Sequence, residues 1–109
     1  MRVDKPWGYE IIWAKTDRYV GKLLHINAGQ KLSLQYHNLK DETIYVQSGH
    51  LVLQIGEALI QLQPGESYHI PVGTIHRFMA GVEPVELMEV STPELDDVVR
   101  LQDDYGRSS

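Results

Sequence analysis

Four residues of this 109-residue chain have the types and spacing to hold a metal ion: Gln35, His37, Glu42 and His76. Gln35 and His37 stand two apart in a run that reads as a strand, so their side chains leave the same face. The polar turn Asn38-Leu39-Lys40-Asp41 follows, and Glu42 opens the next strand. Far downstream, Pro71-Val72-Gly73 suits a type I turn with Pro at its second position and Gly at its fourth, and His76 comes just after it. In a barrel, inward positions of neighbouring strands converge, so four such groups can surround one point. Two neutral imidazoles, a carboxylate and an amide oxygen suit a borderline divalent ion such as zinc, manganese, iron, cobalt or nickel. No thiolate can join them, because the chain has no cysteine. Taken one at a time these residues say little, since a strand histidine is more often packed or exposed than ligating.

The elements that must position these groups are strands nearly throughout. Runs at Tyr19 to Ile26, Leu32 to His37 and Thr43 to Val46 are rich in β-branched, aromatic and aliphatic residues and end in polar or glycine-bearing turns. Leu51 to Ile55 and Ala58 to Leu62 flank Gly56-Glu57, a tight hairpin turn. Ser67 to Ile70, Arg77 to Met79 and Val85 to Val90 complete a set whose spacing predicts an all-β sandwich or closed barrel. One stretch reads as helical, Glu94 to Gln102: Thr92 can cap it, Pro93 fits its first position, and Leu95, Val98, Val99 and Gln102 share a face. The N-terminal Pro6-Trp7-Gly8 and the C-terminal Tyr105 to Ser109 are expected to cover the barrel or drape over a partner.

Composition narrows the classes of function. Hydrophobic residues make up 42% and charged residues 23%, the mix of a globular domain, and 109 residues suffice for one domain. The formal charge of −5 argues against a nucleic-acid partner. Eight of the 15 acidic residues lie between Glu83 and Asp104, which reads first as a solvated face. No run is apolar enough for a signal or a membrane span, so the expectation is a cytoplasmic protein with no membrane partner.

The glycines and prolines around the candidate ligands keep a regular spacing. Gly29, Gln35, His37, Glu42 and Gly49 are separated by five, one, four and six residues, and Gly65, Pro71, Gly73 and His76 by five, one and two. This framework resembles the two sequence motifs of the cupin superfamily, with Gln35 where the commonest cupins carry a first histidine. Pro6 to Tyr9, Leu32 to His37, Ser67 to Pro71 with Gly73 and His76, Glu89-Val90 and Val98 to Arg107 are further similar to the cupin domain of type II mannose-6-phosphate isomerases. The resemblance implies a single domain over residues 1–109: a double-stranded β-helix, or jelly-roll barrel, with a short C-terminal helix or turn. In bifunctional members that domain follows a nucleotidyltransferase that makes GDP-mannose; this chain has no glycine-rich nucleotide loop, so that activity is not implied. Three positions depart from the family pattern: Lys40 stands where an arginine is usual, Thr43 where a histidine is, and Ala80 where an asparagine often closes the second motif. Lysine keeps the charge but loses the planar bidentate grip.

The implied activity is metal-dependent aldose–ketose isomerisation, mannose 6-phosphate to fructose 6-phosphate, which moves a proton between C2 and C1. It needs a Lewis acid, a base and a cation for phosphate. The Lewis acid would be one divalent ion on Gln35, His37, Glu42 and His76, zinc first and manganese, iron, cobalt or nickel as alternatives. Lys22 shares parity with Leu24 and Ile26, a core-facing row, although a lysine facing water at a strand edge is an equal reading. Lys40, Arg100 and Arg107 are further phosphate candidates, the arginines through the resemblance. Glu89, His25, His69 and Glu10 are base candidates by type, and Tyr45, Tyr68 and Trp7 read first as packing. The alternatives are another metal-dependent activity such as an oxygenase, or a non-catalytic module binding a sugar. A homodimer and a small sugar phosphate are the expected partners.

Overall fold

The strands of this protein bury one face each, and their alternation builds a barrel that is dry at one end and polar at the other. The structure is a computed structural model that describes residues 1–105. Its strands are β1 Arg2–Lys5, β2 Gly8–Lys15, β3 Val20–Ile26, β4 Leu34–Tyr36, β5 Glu42–Ser48, β6 Leu51–Ile55, β7 Ala58–Leu62, β8 Ser67–Ile70, β9 His76–Ala80, β10 Val85–Ser91 and β11 Val99–Gln102. They form two antiparallel sheets. One has six strands in the order β1-β2-β3-β10-β5-β8, the other five in the order β11-β4-β9-β6-β7. Six of the nine pairings among the described residues join strands that are not consecutive, as a jelly roll requires.

Each inward row changes character along its strand. On β3 it runs Ile26, Leu24, Lys22; on β5 Val46, Ile44, Glu42; on β9 Ala80, Phe78, His76; on β10 Val85, Leu87, Glu89, and all of these side chains are buried. Register aligns the rows, with Leu87 opposite Leu24 and Val46, and Glu89 opposite Lys22 and Ile44. The apolar ends, with Leu51, Leu53, Leu62 and Trp7, make one core. That core anchors the walls, and the polar ends of the same rows are thereby held at fixed positions above it.

Two motif glycines have work that no other residue could do. Gly49 has φ 81°, and a Cβ there would lie 2.3 Å from the Pro84 carbonyl oxygen. Gly73 has φ 81°, and its N–H donates to the His37 carbonyl oxygen at 2.9 Å, which ties the two motifs together. The turn before His76 differs from expectation. Its hydrogen bond runs from Thr74 N–H to the Pro71 carbonyl, so the turn spans Pro71 to Thr74 with Gly73 third. Positive φ at that position and none at Val72 make it type II rather than type I. The Gly56-Glu57 hairpin is as expected, with Ile55 paired to Ala58.

The expected C-terminal helix is absent: the described residues contain no helix. Residues 93–98 make tight turns instead, with Leu95 N–H bonded to the Pro93 carbonyl and Val98 N–H to that of Asp96. β11 then pairs with β4, covering what would be an open edge. At the other end, β1 and β2 extend the six-stranded sheet, where the sequence suggested only a covering segment. Among the described residues no helix is long and apolar enough to cross a membrane.

Candidate metal centre

Three strands and a loop bring the candidate ligands to the polar end of the barrel. Glu42 begins β5, His76 begins β9, and His37 follows β4 directly. The ligand atoms of His37, Glu42 and His76 all lie within 4.8 Å of one another, and the three residues are buried. His76 Nε2 is 3.0 Å and His37 Nε2 3.5 Å from Glu42 Oε1.

The remaining ring nitrogens orient the imidazoles. His37 Nδ1 faces the Asp97 carbonyl oxygen at 2.5 Å and His76 Nδ1 faces that of Thr74 at 2.8 Å. A carbonyl only accepts, so each Nδ1 carries the hydrogen and each Nε2 turns a lone pair to the centre. His37 Nε2, His76 Nε2 and both Glu42 carboxylate oxygens are buried and make no hydrogen bond. Glu42 Oε2 has the Coulomb attraction of Lys40 Nζ, 3.2 Å away. Buried polar atoms in folded proteins are otherwise almost always paired. Converging, unpaired nitrogen and carboxylate donors are what a divalent ion satisfies, so this triad can hold one. Gln35 sits opposite His76 in the β4–β9 pairing. Its Oε1 accepts a hydrogen bond from Ser33 Oγ at 2.7 Å and retains a second lone pair.

Beside the triad opens a cavity of about 230 Å³ with Trp7, Leu24 and Phe78 in its wall. Gln35, His37, Lys22, Lys40, Glu89 and Arg100 all line it, so residues far apart in the chain meet around one space. Lys22 lies inside the barrel and not at a watery edge: it is 8% exposed, with Nζ 3.3 Å from Glu10 Oε2. Of the four base candidates, Glu10 and Glu89 line the cavity. His25 and His69 do not. His25 stacks on Tyr9 and pairs with Glu86 at 2.9 Å, and His69 is exposed and pairs with Asp41 at 2.7 Å. Tyr68 packs on the core and Trp7 is core, as read, whereas Tyr45 is exposed and does not pack on it. Arg107 lies outside the described residues.

Lys40 bridges the triad and the cavity, 3.2 Å from Glu42 Oε2 and 3.6 Å from Glu89 Oε2. Burial disfavours its charge, but Glu89 and Glu42 outweigh that and raise its pKa. Burial, and then the charge of Glu42, push the Glu89 carboxyl up to about 8 against the pull of Lys40. Burial works against ionised Glu42 too, while the charge of Lys40, 3.2 Å away, favours it.

Some functional neighbours escaped the sequence reading. Asp97 accepts hydrogen bonds from the backbone N–H groups of Asn38, Leu39 and Lys40, at 3.1, 2.6 and 2.8 Å, while its own carbonyl receives His37. The Leu39 and Lys40 bonds hold its carboxyl below the ordinary value. Thus the strap of residues 93–98 clamps the loop that carries His37 and Lys40. Arg77 is buried and donates from Nε to the Leu32 carbonyl and from Nη2 to that of Gln102, fastening β11. Lys5 reaches Glu10 at 3.8 Å from β1. No local pattern marks Asp97; Glu10 is a base candidate by type, and recognising β2 with its inward parity would have given its direction.

A jelly-roll barrel with a buried His–Glu triad at one end of its interior defines a cupin. The family described as mannose-6-phosphate isomerase C-terminal matches residues 1–103, and the chain belongs to it. It is 35% identical over 111 residues to the xanthan biosynthesis protein XanB of Xanthomonas campestris pv. campestris, covering 98% of this chain and 24% of that one. It is 39% identical over 110 residues to a mannose-1-phosphate guanylyltransferase of Escherichia coli K12, covering 96% and 23%. The chain thus spans about a quarter of the length of these curated relatives. Among solved structures it resembles a sugar phosphate isomerase from the cupin superfamily of Silicibacter pomeroyi, with TM-score 0.71 and 25% identity over 77% of this chain and 58% of that one.

Proposed function

We propose that this protein is a metal-dependent sugar-phosphate isomerase that interconverts mannose 6-phosphate and fructose 6-phosphate. The observation that carries the proposal is the buried triad of His37, Glu42 and His76, whose inward nitrogen and oxygen atoms lack hydrogen-bond partners beside a cavity lined by cations. Family membership and the sugar phosphate isomerase among the structural relatives support the substrate class. His37, Glu42 and His76 would hold one divalent ion, with Gln35 as fourth ligand and zinc first in order. When bound, the ion supplies a Lewis acid for the charge that develops on the sugar oxygens.

The chain's own residues do the rest. Glu89 points into the cavity between Lys22 and Lys40, and carries the proton between C2 and C1. Lys40 lies against both the Glu42 and the Glu89 carboxyl and offsets their charge in part, in place of the arginine usual in this family. Lys22 and Arg100 meet the anionic end of the substrate. The strap residues Leu95 and Val98 line the cavity and exclude water from it. The unit is the single domain of residues 1–109, acting as a homodimer. Phosphorylated sugars are retained inside cells by their charge, which supports a cytoplasmic location.

The test strips the metal, restores zinc, cobalt, manganese or iron(II) in turn, and assays mannose 6-phosphate conversion beside a His37→Ala control. Metal-dependent turnover that vanishes in the variant is expected. Stoichiometric metal with no turnover under any ion would overturn the isomerase reading, and oxygen-dependent turnover with iron would replace it with an oxygenase.

A further inference from the structure

Along one wall of the cavity runs a row of buried or half-buried charges of alternating sign: Lys5, Glu10, Lys22, Glu89 and Lys40. Lys5 Nζ lies 3.8 Å from Glu10 Oε1, and Lys22 Nζ lies 3.3 Å from Glu10 Oε2. Glu89 stands directly opposite Lys22 in the β3–β10 register, and its Oε2 is 3.6 Å from Lys40 Nζ. Beyond Lys40 the row ends at Glu42, a member of the triad. Once an ion engages Glu42, the row that remains has three cations against two carboxylates. Its excess is one positive charge with Glu89 ionised and two with Glu89 neutral, so the sign does not depend on that proton. Asp96 on the strap and Arg100 on β11, the other acid–base pair of charges in the lining, are opposite in sign and leave the excess unchanged.

Placing a lysine here is costly. Lys22 shares its inward row with Leu24 and Ile26, so a hydrocarbon side chain would suit the position, and taking an ammonium out of water is unfavourable without compensation. Lys5 is less deeply buried than Lys22, so the pair runs from the protected wall outward. Two point-charge donors in the wall of a small cavity that His37 of the triad also lines suit a compact anion.

Building on the isomerase reading, we propose that Lys22 and Lys5 form an anion subsite that takes the phosphate of a sugar monophosphate, and that occupation of this subsite is coupled to metal binding. The coupling is reciprocal, so metal tightens the phosphate ester and the ester tightens metal by the same factor.

The experiment titrates mannose 6-phosphate, mannose, inorganic phosphate and galacturonate into metal-free and cobalt-loaded protein by calorimetry. The cobalt absorption spectrum reports the metal separately. Loaded protein is expected to bind mannose 6-phosphate at least tenfold more tightly than mannose, with inorganic phosphate competing, and metal-free protein to show a smaller preference. Lys22→Met should lose at least tenfold in mannose 6-phosphate affinity with cobalt stoichiometry and spectrum unchanged, and Lys22→Arg should keep most of it. Lys5→Gln, at a less buried position, should lose affinity in the same sense and serves if Lys22→Met does not fold.

Failure of wild-type protein to bind cobalt would overturn the metal reading on which the subsite rests. Cobalt bound, with mannose 6-phosphate no tighter than mannose or with the lysine variants binding like wild type, would overturn the subsite alone. Tighter binding of galacturonate than of mannose 6-phosphate would put a carboxylate there and overturn the phosphate assignment. Equal ester affinity with and without metal would overturn the coupling.

Discussion

His76→Leu should cost this protein almost nothing without metal and most of its metal-linked stability with it. His76 is 1% exposed, with Phe78 on one side at a ring separation of 5.6 Å and Glu42 Oε1 on the other at 3.0 Å, and leucine has a similar volume. The substitution removes the hydrogen bond to the Thr74 carbonyl, a loss of about 0.5–1.5 kcal/mol. Thr74 is partly exposed, so water can replace part of that bond. The substitution also removes a buried Nε2 without a partner, whose desolvation weighs about 1–3 kcal/mol against the native state. The two nearly cancel, and the variant in chelator should lie within about 1 kcal/mol of wild type. Metal at a hundredfold its Kd stabilises wild type by about 2.7 kcal/mol. At roughly 4–8 °C per kcal/mol for a domain of this size, that raises Tm by about 10–20 °C. The variant, with one of its ligands gone, should gain less than about 5 °C. Thermal unfolding followed by circular dichroism, in chelator and in excess zinc, reads all four states. A loss above about 3 kcal/mol in chelator would refute the reasoning about the unpaired nitrogen, and an equal zinc shift in both proteins would remove His76 from the ligand set.

Three further outcomes follow from the same geometry. Gly49→Ala should destabilise the fold by more than about 2 kcal/mol, because its Cβ would meet the Pro84 carbonyl at 2.3 Å and its φ is 81°; denaturant titration measures it. Glu89→Gln should reduce isomerase turnover by about 10²-fold or more, with metal content by elemental analysis unchanged. Asp97→Ala should release the Asn38–Lys40 loop and weaken metal affinity by about tenfold, as read by chelator competition. Because the Asp97 carboxyl is held below its ordinary value of 3.8, its clamp is in place at neutral pH and is lost as pH falls below that value. Wild type and the Asp97→Ala variant should therefore converge in acid.

How far local pattern reaches is plain from particular segments. The apolar spacing of Leu95, Val98, Val99 and Gln102 fits a helical face, yet β4 offers an unpaired edge and β11 fills it, so a non-local partner outweighed a local period. Lys22 has the parity of a core residue, but its burial depended on Glu10 from β2 standing 3.3 Å away. His25 and Lys22 lie three apart and are equally plausible by residue type. The pleat sends one outward to Glu86 and the other into the cavity.

What the sequence by itself determined is the set of core strands, the places where the motif turns fall, and the candidate donors His37, Glu42 and His76. Period-two alternation and positive-φ glycines are local properties, and residues held at fixed offsets from them inherit a direction. What only the tertiary structure decided is the company those residues keep. Asp97 clamping the His37 loop, the Lys5–Glu10–Lys22 chain, Arg77 fastening β11 and the cavity itself all join different strands or loops. Such contacts arise from the register between strands, and register is set by packing the whole interior at once.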